Sequence, residues 1–372
     1  MQKQMISPKQ AIMMIGLFTL GTTFLLAVGA SAGKDIWIAY LIALAISIAL
    51  MWIYGRILGH MPGKDFYGIL ESVLGRTLSR LILIPLAIYL FQFSSYVIRN
   101  FSHFVDTAGL PEAPTLVPYL GVGLTAVLAV YLGIEILGRW SEFFLPFVAV
   151  FAIVSMLILS KYMKVDNLLP VLEKGWAPVM KGTVSVISLP FAQTVAFLFV
   201  LPPFSDKKIP RRVFPLGLLL GAALVFITSI QDVLVLGVGL VNRLYYPTYT
   251  TLSIIRIGNF IQRLEIVAAT VFTLAVFLKF AILLMALCKA IGYILGLKDH
   301  RFLAIPVLLL IINYATFSFT SDVQFQTWTI NIWPYYSAIF QVLIPVVLFV
   351  LLKWLSAKRS KKKQDSPLMA GK

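Results

Sequence analysis

Apolar residues run along this chain in blocks of bilayer length, separated by short segments that hold most of the charge. About 20 consecutive apolar residues in a helix span the ~30 Å hydrocarbon core of a membrane. Such blocks lie at 9–32, 36–58, 80–104, 115–134, 143–160, 183–202, 213–241, 264–296, 302–319 and 333–355. The pattern predicts an all-α integral membrane protein of about ten transmembrane helices. No linker or composition shift divides the chain, so residues 1–357 read as one transmembrane permease-like domain and 358–372 as a basic, disordered cytoplasmic tail. The first block follows Met1-Gln2-Lys3-Gln4 with no small-residue cleavage site after a short apolar core, and reads as a span rather than a cleaved signal.

Composition agrees. Apolar residues make up 60% of the 372 and charged ones 12%, where soluble domains carry roughly 25% charged residues. A net charge of +16 would point to nucleic acid in a soluble chain, but here the basic residues sit in loops, without aromatic interleaving, and nucleic acid is set aside as a partner. Of the 31 Lys and Arg, 21 fall on one side if the N-terminus is inside, nine on the other, and Lys279 lies within a span. The positive-inside rule then places both termini in the cytoplasm. Four lysines between Lys161 and Lys181 run against the trend, in a loop long enough to count less. The tail Lys358-Arg359-Ser360-Lys361-Lys362-Lys363 suits anionic membrane lipid at about 1 kcal/mol per charge near the surface, although a plain topogenic stop is the favoured reading. The lone Cys288 supports neither a disulfide framework nor a thiolate metal cluster.

Two spans are interrupted. Span one holds Gly21-Thr22-Thr23 and then Val28-Gly29-Ala30-Ser31-Ala32-Gly33; span six holds Pro190, which removes a backbone donor, followed by Gln193-Thr194. Ten spans with breaks at one and six predict two halves of five arranged as an inverted repeat, with a ligand site where the broken helices meet. Backbone groups freed at that depth need a cavity or a partner, because lipid offers none. Small-residue packing and an ordinary proline kink would explain the same residues without any ligand. In span three, Tyr96 and Asn100 share a helix face and suit an amino-acid or sugar pocket.

Charge within the spans is rare, which makes Lys279 a functional candidate. Asp232, in the polar group Thr228-Ser229-Gln231-Asp232, is a candidate partner for it, either for coupling to a cation or proton or as a structural ion pair. Glu135, Arg139 and Glu142, spaced four and three apart, predict an ion-paired latch at an inner turn. The histidines His60, His103 and His300 are scattered, and no metalloprotease motif, nucleophile elbow or phosphate loop occurs. No enzyme activity, metal or cofactor is expected.

The run Gly133-Ile134-Glu135-Ile136-Leu137-Gly138-Arg139-Trp140-Ser141-Glu142 with Pro146 after it resembles the spore germination permease family, the B subunits of nutrient germinant receptors. So do the loop Leu168-Leu169-Pro170-Val171-Leu172-Glu173-Lys174-Gly175-Trp176-Ala177-Pro178-Val179-Met180-Lys181-Gly182, the segment Asp35-Ile36-Trp37-Ile38, and Asn259-Phe260-Ile261-Gln262-Arg263-Leu264-Glu265. The resemblance implies the amino acid/polyamine/organocation superfamily with its ten-helix 5+5 fold. It also implies residence in the inner membrane of a bacterial spore and partnership with an A subunit and a lipoprotein C subunit. The B subunit of that family is thought to bind the nutrient. Its pocket, carried over by residue, falls on Gly21, Thr22, Thr23, Tyr96, Asn100, Leu189, Pro190, Phe191, Gln193, Thr194 and Thr273. Two positions depart from the family pattern. Val28 stands where a proline is frequent, and Gln193 where a glutamate is frequent, so coupling through that carboxylate is in doubt here. The expected function is nutrient sensing, with an amino acid as the favoured ligand and a sugar left open. The alternative is a proton- or cation-coupled amino acid transporter.

Overall fold

The computed structural model describes residues 6–109, 114–255 and 263–365. The Asn259 to Gln262 part of the family-like motif and the end of the tail, 366–372, lie outside the described residues. In chain order the helices are α1 (Pro8–Leu20), α2 (Ile36–Leu58), α3 (Phe66–Leu74), α4 (Arg76–Phe104), α5 (Leu116–Leu132), α6 (Ile134–Leu159) and α7 (Trp176–Val186). They continue with α8 (Phe197–Val200), α9 (Lys208–Val241), α10 (Pro247–Ser253), α11 (Leu264–Leu295), α12 (Ala304–Phe317), α13 (Asp322–Asn331), α14 (Trp333–Ala338) and α15 (Ile344–Asp365).

The protein is all-helical and multi-pass. Seven described helices are long and apolar enough to cross a membrane, or eight if the bent pair α12 and α13 counts as one. The remaining predicted spans fall on shorter helices, for identifiable reasons. The 17-residue α5 is cut off by Gly133 at φ +92°, and α1 stops after 13 residues at the first interruption. The chain after α12 turns by 101° into α13, a segment that the apolar pattern assigns to a loop.

Local sequence accounts for the start of α1. Ser7 caps it by accepting from the Gln10 amide, the Gln10 side chain accepts from the Ser7 amide, and Pro8 occupies the first turn, where no donor is missed. Close packing of α1 on α9 depends on two glycines four apart. A Cβ on Gly217 would lie 2.6 Å from Ile15 Cβ, and one on Gly221 2.5 Å from Thr19 Cβ. Without an apolar driving force between helices in lipid, such close backbone contact supplies the association energy. α11 runs through the middle of the bundle, with 83% of its most apolar stretch buried against 22% for the last span. A charge on α11 therefore faces protein rather than lipid.

Candidate functional site

The first interruption begins at Gly21, whose φ of +23° ends α1. A turn of 3-10 helix, Gly21–Thr23, follows, and regular structure resumes at Ala30–Asp35 after Gly29 at φ +84°. Thr23 Oγ1 donates to the carbonyls of Thr19 (2.9 Å) and Leu20 (2.8 Å), taking up acceptors that the helix leaves free. The second interruption is a π turn over Ile187–Phe191 containing Pro190, then 3-10 helix over Ala192–Ala196. Its freed carbonyls find partners across the bundle: Gln341 Nε2 donates to Ser188 O (3.1 Å) and Tyr54 OH to Ala192 O (3.3 Å). Tyr54 OH also donates to the Gln341 carbonyl, linking the break to the last span.

Lys279 joins the two breaks. Wholly buried on α11, its Nζ donates to Gln193 Oε1 at 2.6 Å and Thr22 Oγ1 at 3.3 Å, over the rings of Phe18 (5.2 Å) and Phe93 (5.6 Å). A lysine at the centre of a membrane helix costs about 3 kcal/mol on insertion scales. Two charge-assisted hydrogen bonds at about 1.5–3 kcal/mol each offset that cost. Its aliphatic stem passes Gly21 so closely that a Cβ there would be 2.3 Å from Lys279 Cδ.

Thr22 and Gln193 also border a cavity of about 40 Å³, with Leu26 and Leu189 from the breaks, Phe93, Tyr96, Val97 and Asn100 from α4, and Phe325, Thr329 and Trp333 as its roof. A larger cavity of about 200 Å³ shares Leu26, Asn100, Leu189 and Thr329 with it, and adds the backbone stretch from Ala27 to Ser31, Ser185, Tyr245 and Gln326. Asn100 lies at the junction. Its Nδ2 donates to Tyr245 OH (3.4 Å) and its carbonyl accepts from Tyr246 OH (3.1 Å), while its Oδ1 is buried without a partner. Trp333 Nε1 is likewise buried and unpartnered. Tyr96 packs against Trp333 (5.2 Å), Phe319 (5.6 Å) and Phe325 (5.9 Å), so it serves as an aromatic wall.

The site residues read from the sequence divide into three groups. Thr22, Tyr96, Asn100, Leu189 and Gln193 line the inner cavity. Gly21, Thr23, Pro190, Phe191 and Thr194 shape the breaks from behind; Thr194 Oγ1, for example, donates to Phe191 O at 2.8 Å. Thr273 belongs elsewhere: it borders a separate apolar cavity of about 490 Å³ with Phe101, Trp140 and Phe277, and its hydroxyl is spent on Ala269 O at 2.8 Å.

Two pairings differ from expectation. Lys279 and Asp232 form no ion pair; Asp232 Oδ2 instead accepts from Thr248 Oγ1 on α10 at 2.6 Å, since α10 folds back onto α9. Glu142 pairs with Lys9 (2.6 Å) and Gln10 (3.4 Å) rather than Arg139, because α1 packs along α6 and brings its N-terminal turn to that point. Residues unseen in the sequence are those of α13 and its flank, Phe325, Thr329 and Trp333, together with Phe93 and Tyr245. A signal for α13 exists: Ser321 caps it by accepting from the Gln324 amide, the serine-to-glutamine spacing of a helix start.

The chain matches the spore germination protein family over residues 5–323. It is 27% identical to spore germination protein KB of Bacillus subtilis (strain 168), over 98% of this chain and 99% of that protein. The putative spore germination protein YfkT of the same strain is 23% identical over 91% of this chain and 95% of its own length. Spore germination protein XB of Bacillus anthracis is 21% identical, over 89% and 91% respectively. With most of its length matched by the family and these three relatives covered almost from end to end, this chain belongs to the spore germination protein family.

Proposed function

We propose that the chain is the B subunit of a spore germinant receptor, which binds a small nutrient in the cavity between its two broken helices and signals to A and C subunits in the inner membrane of the spore. The observation that carries this reading is the cavity bordered by both breaks, α4 and α13, with Asn100 Oδ1 and Trp333 Nε1 buried beside it and unpartnered. Buried polar groups without partners cost about 1–3 kcal/mol each. A ligand that satisfies them recovers that energy. The positive-inside asymmetry gives the nutrient an entrance on the outer side, through the larger cavity. Binding moves the receptor only to the extent that affinities differ between its two states, and a tenfold difference corresponds to about 1.4 kcal/mol.

The test is germination of spores lacking this chain, scored against single nutrients, then of spores carrying Tyr96→Ala or Gln193→Ala. The reading predicts that deletion abolishes the response to one nutrient and that the substitutions shift its concentration dependence at least tenfold. An unshifted dependence with the variants correctly folded leaves a scaffold role instead. The meeting of two discontinuous helices is also the layout of secondary transporters, which supports a second reading, a coupled amino acid transporter. Uptake of labelled amino acid by proteoliposomes containing this chain alone decides for that reading.

A further inference from the structure

Lys279 has no acidic partner. None of the ion pairs among the described residues includes it, and its two hydrogen-bond acceptors are a neutral amide and a neutral hydroxyl. Among the described residues, no aspartate or glutamate borders either the inner cavity or the larger one beside it. The pair of cavities therefore sits beside a buried amine that has no carboxylate to balance it when protonated.

The hydrogen bonds of Lys279 also set the polarity of the groups facing the cavity. With Gln193 Oε1 held by Nζ at 2.6 Å, the amide is oriented, and its NH₂ has no protein partner among the described residues. An amide's orientation follows from its network, and a lysine presents donors only. Thr22 Oγ1, as an acceptor from Nζ, keeps its own proton to donate. Two donors that border one cavity, both held by the same lysine amine, make a site for an anionic oxygen pair.

We propose that Lys279, acting through Gln193 and Thr22, selects ligands that carry a free carboxylate. The proposal rests on the ligand-pocket reading above and sharpens it: the nutrient supplies the counter-charge that the protein lacks. Gln193 and Thr22 touch the ligand, and Lys279 is the positioning residue behind them. A sugar has no group to fill that role, and a carboxamide would bring a neutral oxygen and a second donor to a place already rich in donors.

The experiment is equilibrium binding to the full chain in lipid nanodiscs, with L-alanine and L-valine as probes beside L-alaninamide, L-valinamide and glucose. The expected result is binding of the acids at least tenfold tighter than of their amides, or about 1.4 kcal/mol. Lys279→Gln should erase that preference. Because removing a buried lysine risks misfolding, Gln193→Glu provides a second arm. It installs an internal carboxylate against Nζ, and is expected to raise thermal stability while weakening binding of both acids at least tenfold. Amides that bind as tightly as acids, or acid binding untouched by Gln193→Glu, overturn the proposal. Glucose binding that is lost in Tyr96→Ala, without any acid preference, overturns it while leaving the pocket in place. Acid binding indifferent to Tyr96→Ala overturns the pocket and the proposal together.

Discussion

Lys279 and Asp232 are both wholly buried, and both lack an ion pair among the described residues, yet they occupy different kinds of surroundings. The partners of Lys279, Thr22 and Gln193, belong to backbone that has left regular α-helix and borders a cavity. The partner of Asp232 is Thr248 on α10, with Tyr40 and Ser229 hydrogen-bonded to each other nearby at 2.8 Å, and Asp232 borders neither cavity of the candidate site. Burial imposes a similar desolvation cost on both. What separates them is the attachment of their partners: groups on interrupted backbone beside a void can exchange a protein contact for a ligand contact, whereas groups on packed regular helices act as a clamp.

The largest effect expected from this contrast is at Gly21. A Cβ there would meet Lys279 Cδ at 2.3 Å in a backbone conformation of φ +23°, so Gly21→Ala should cost on the order of 3 kcal/mol. It should abolish the nutrient response, read by thermal unfolding in detergent and by spore germination. At the other buried acid, Thr248→Val removes the 2.6 Å donor to Asp232 Oδ2, and a loss of about 1–3 kcal/mol in stability is expected. Ligand affinity should change less than twofold; a larger change breaks the contrast by making Asp232 part of the binding machinery.

Asn100→Ala removes both the unpartnered Oδ1 and the bond to Tyr245. The expected result is roughly tenfold weaker ligand binding, about 1.4 kcal/mol, with a small stability change. A stability loss with affinity intact would move Asn100 to the clamp category. Outside the spans, burial chiefly, with Lys289 and Arg301 adding, pushes the His300 imidazole down to about 4 from 6.5. The folded state therefore binds this proton less readily than the unfolded one, and stability falls as pH drops below 6.5 toward 4. His300→Gln should flatten that part of the pH profile without altering ligand binding. The smallest effect is at the Lys9–Glu142 pair, whose side chains are 67% and 35% exposed. Lys9→Ala should lower stability only slightly, and less still in high salt, because solvent and ions screen an exposed pair.

Some of the site was legible because its cause is local. Gly21, Gly29 and Pro190 interrupt helices through their own backbone chemistry, so both breaks could be read in place. Tyr96 and Asn100 were legible as a pair because helix geometry puts residues four apart on one face. Thr273 was misplaced because sequence cannot say which of two cavities a helix face borders. The Lys279–Asp232 pairing failed for a related reason: two rare buried charges invite each other on chemical grounds, but α10 intervenes with Thr248 and the second break intervenes with Gln193. The roof was missed because α13 is only ten residues long and mixes polar with apolar positions, which conceals a short helix from a search for bilayer-length runs.

The sequence alone determined that this is a helical membrane protein and where two of its helices break. Hydrocarbon length and the chemistry of glycine and proline act within a few turns of chain, and need no knowledge of neighbours. Only the tertiary structure decided that Lys279 lies between those breaks, that its partners are Gln193 and Thr22, and that α13 roofs the cavity above them. Those contacts join residues 86 and 257 positions apart. Which distant groups meet is settled by how whole helices pack, and that competition among packings has no signature in any single stretch of sequence.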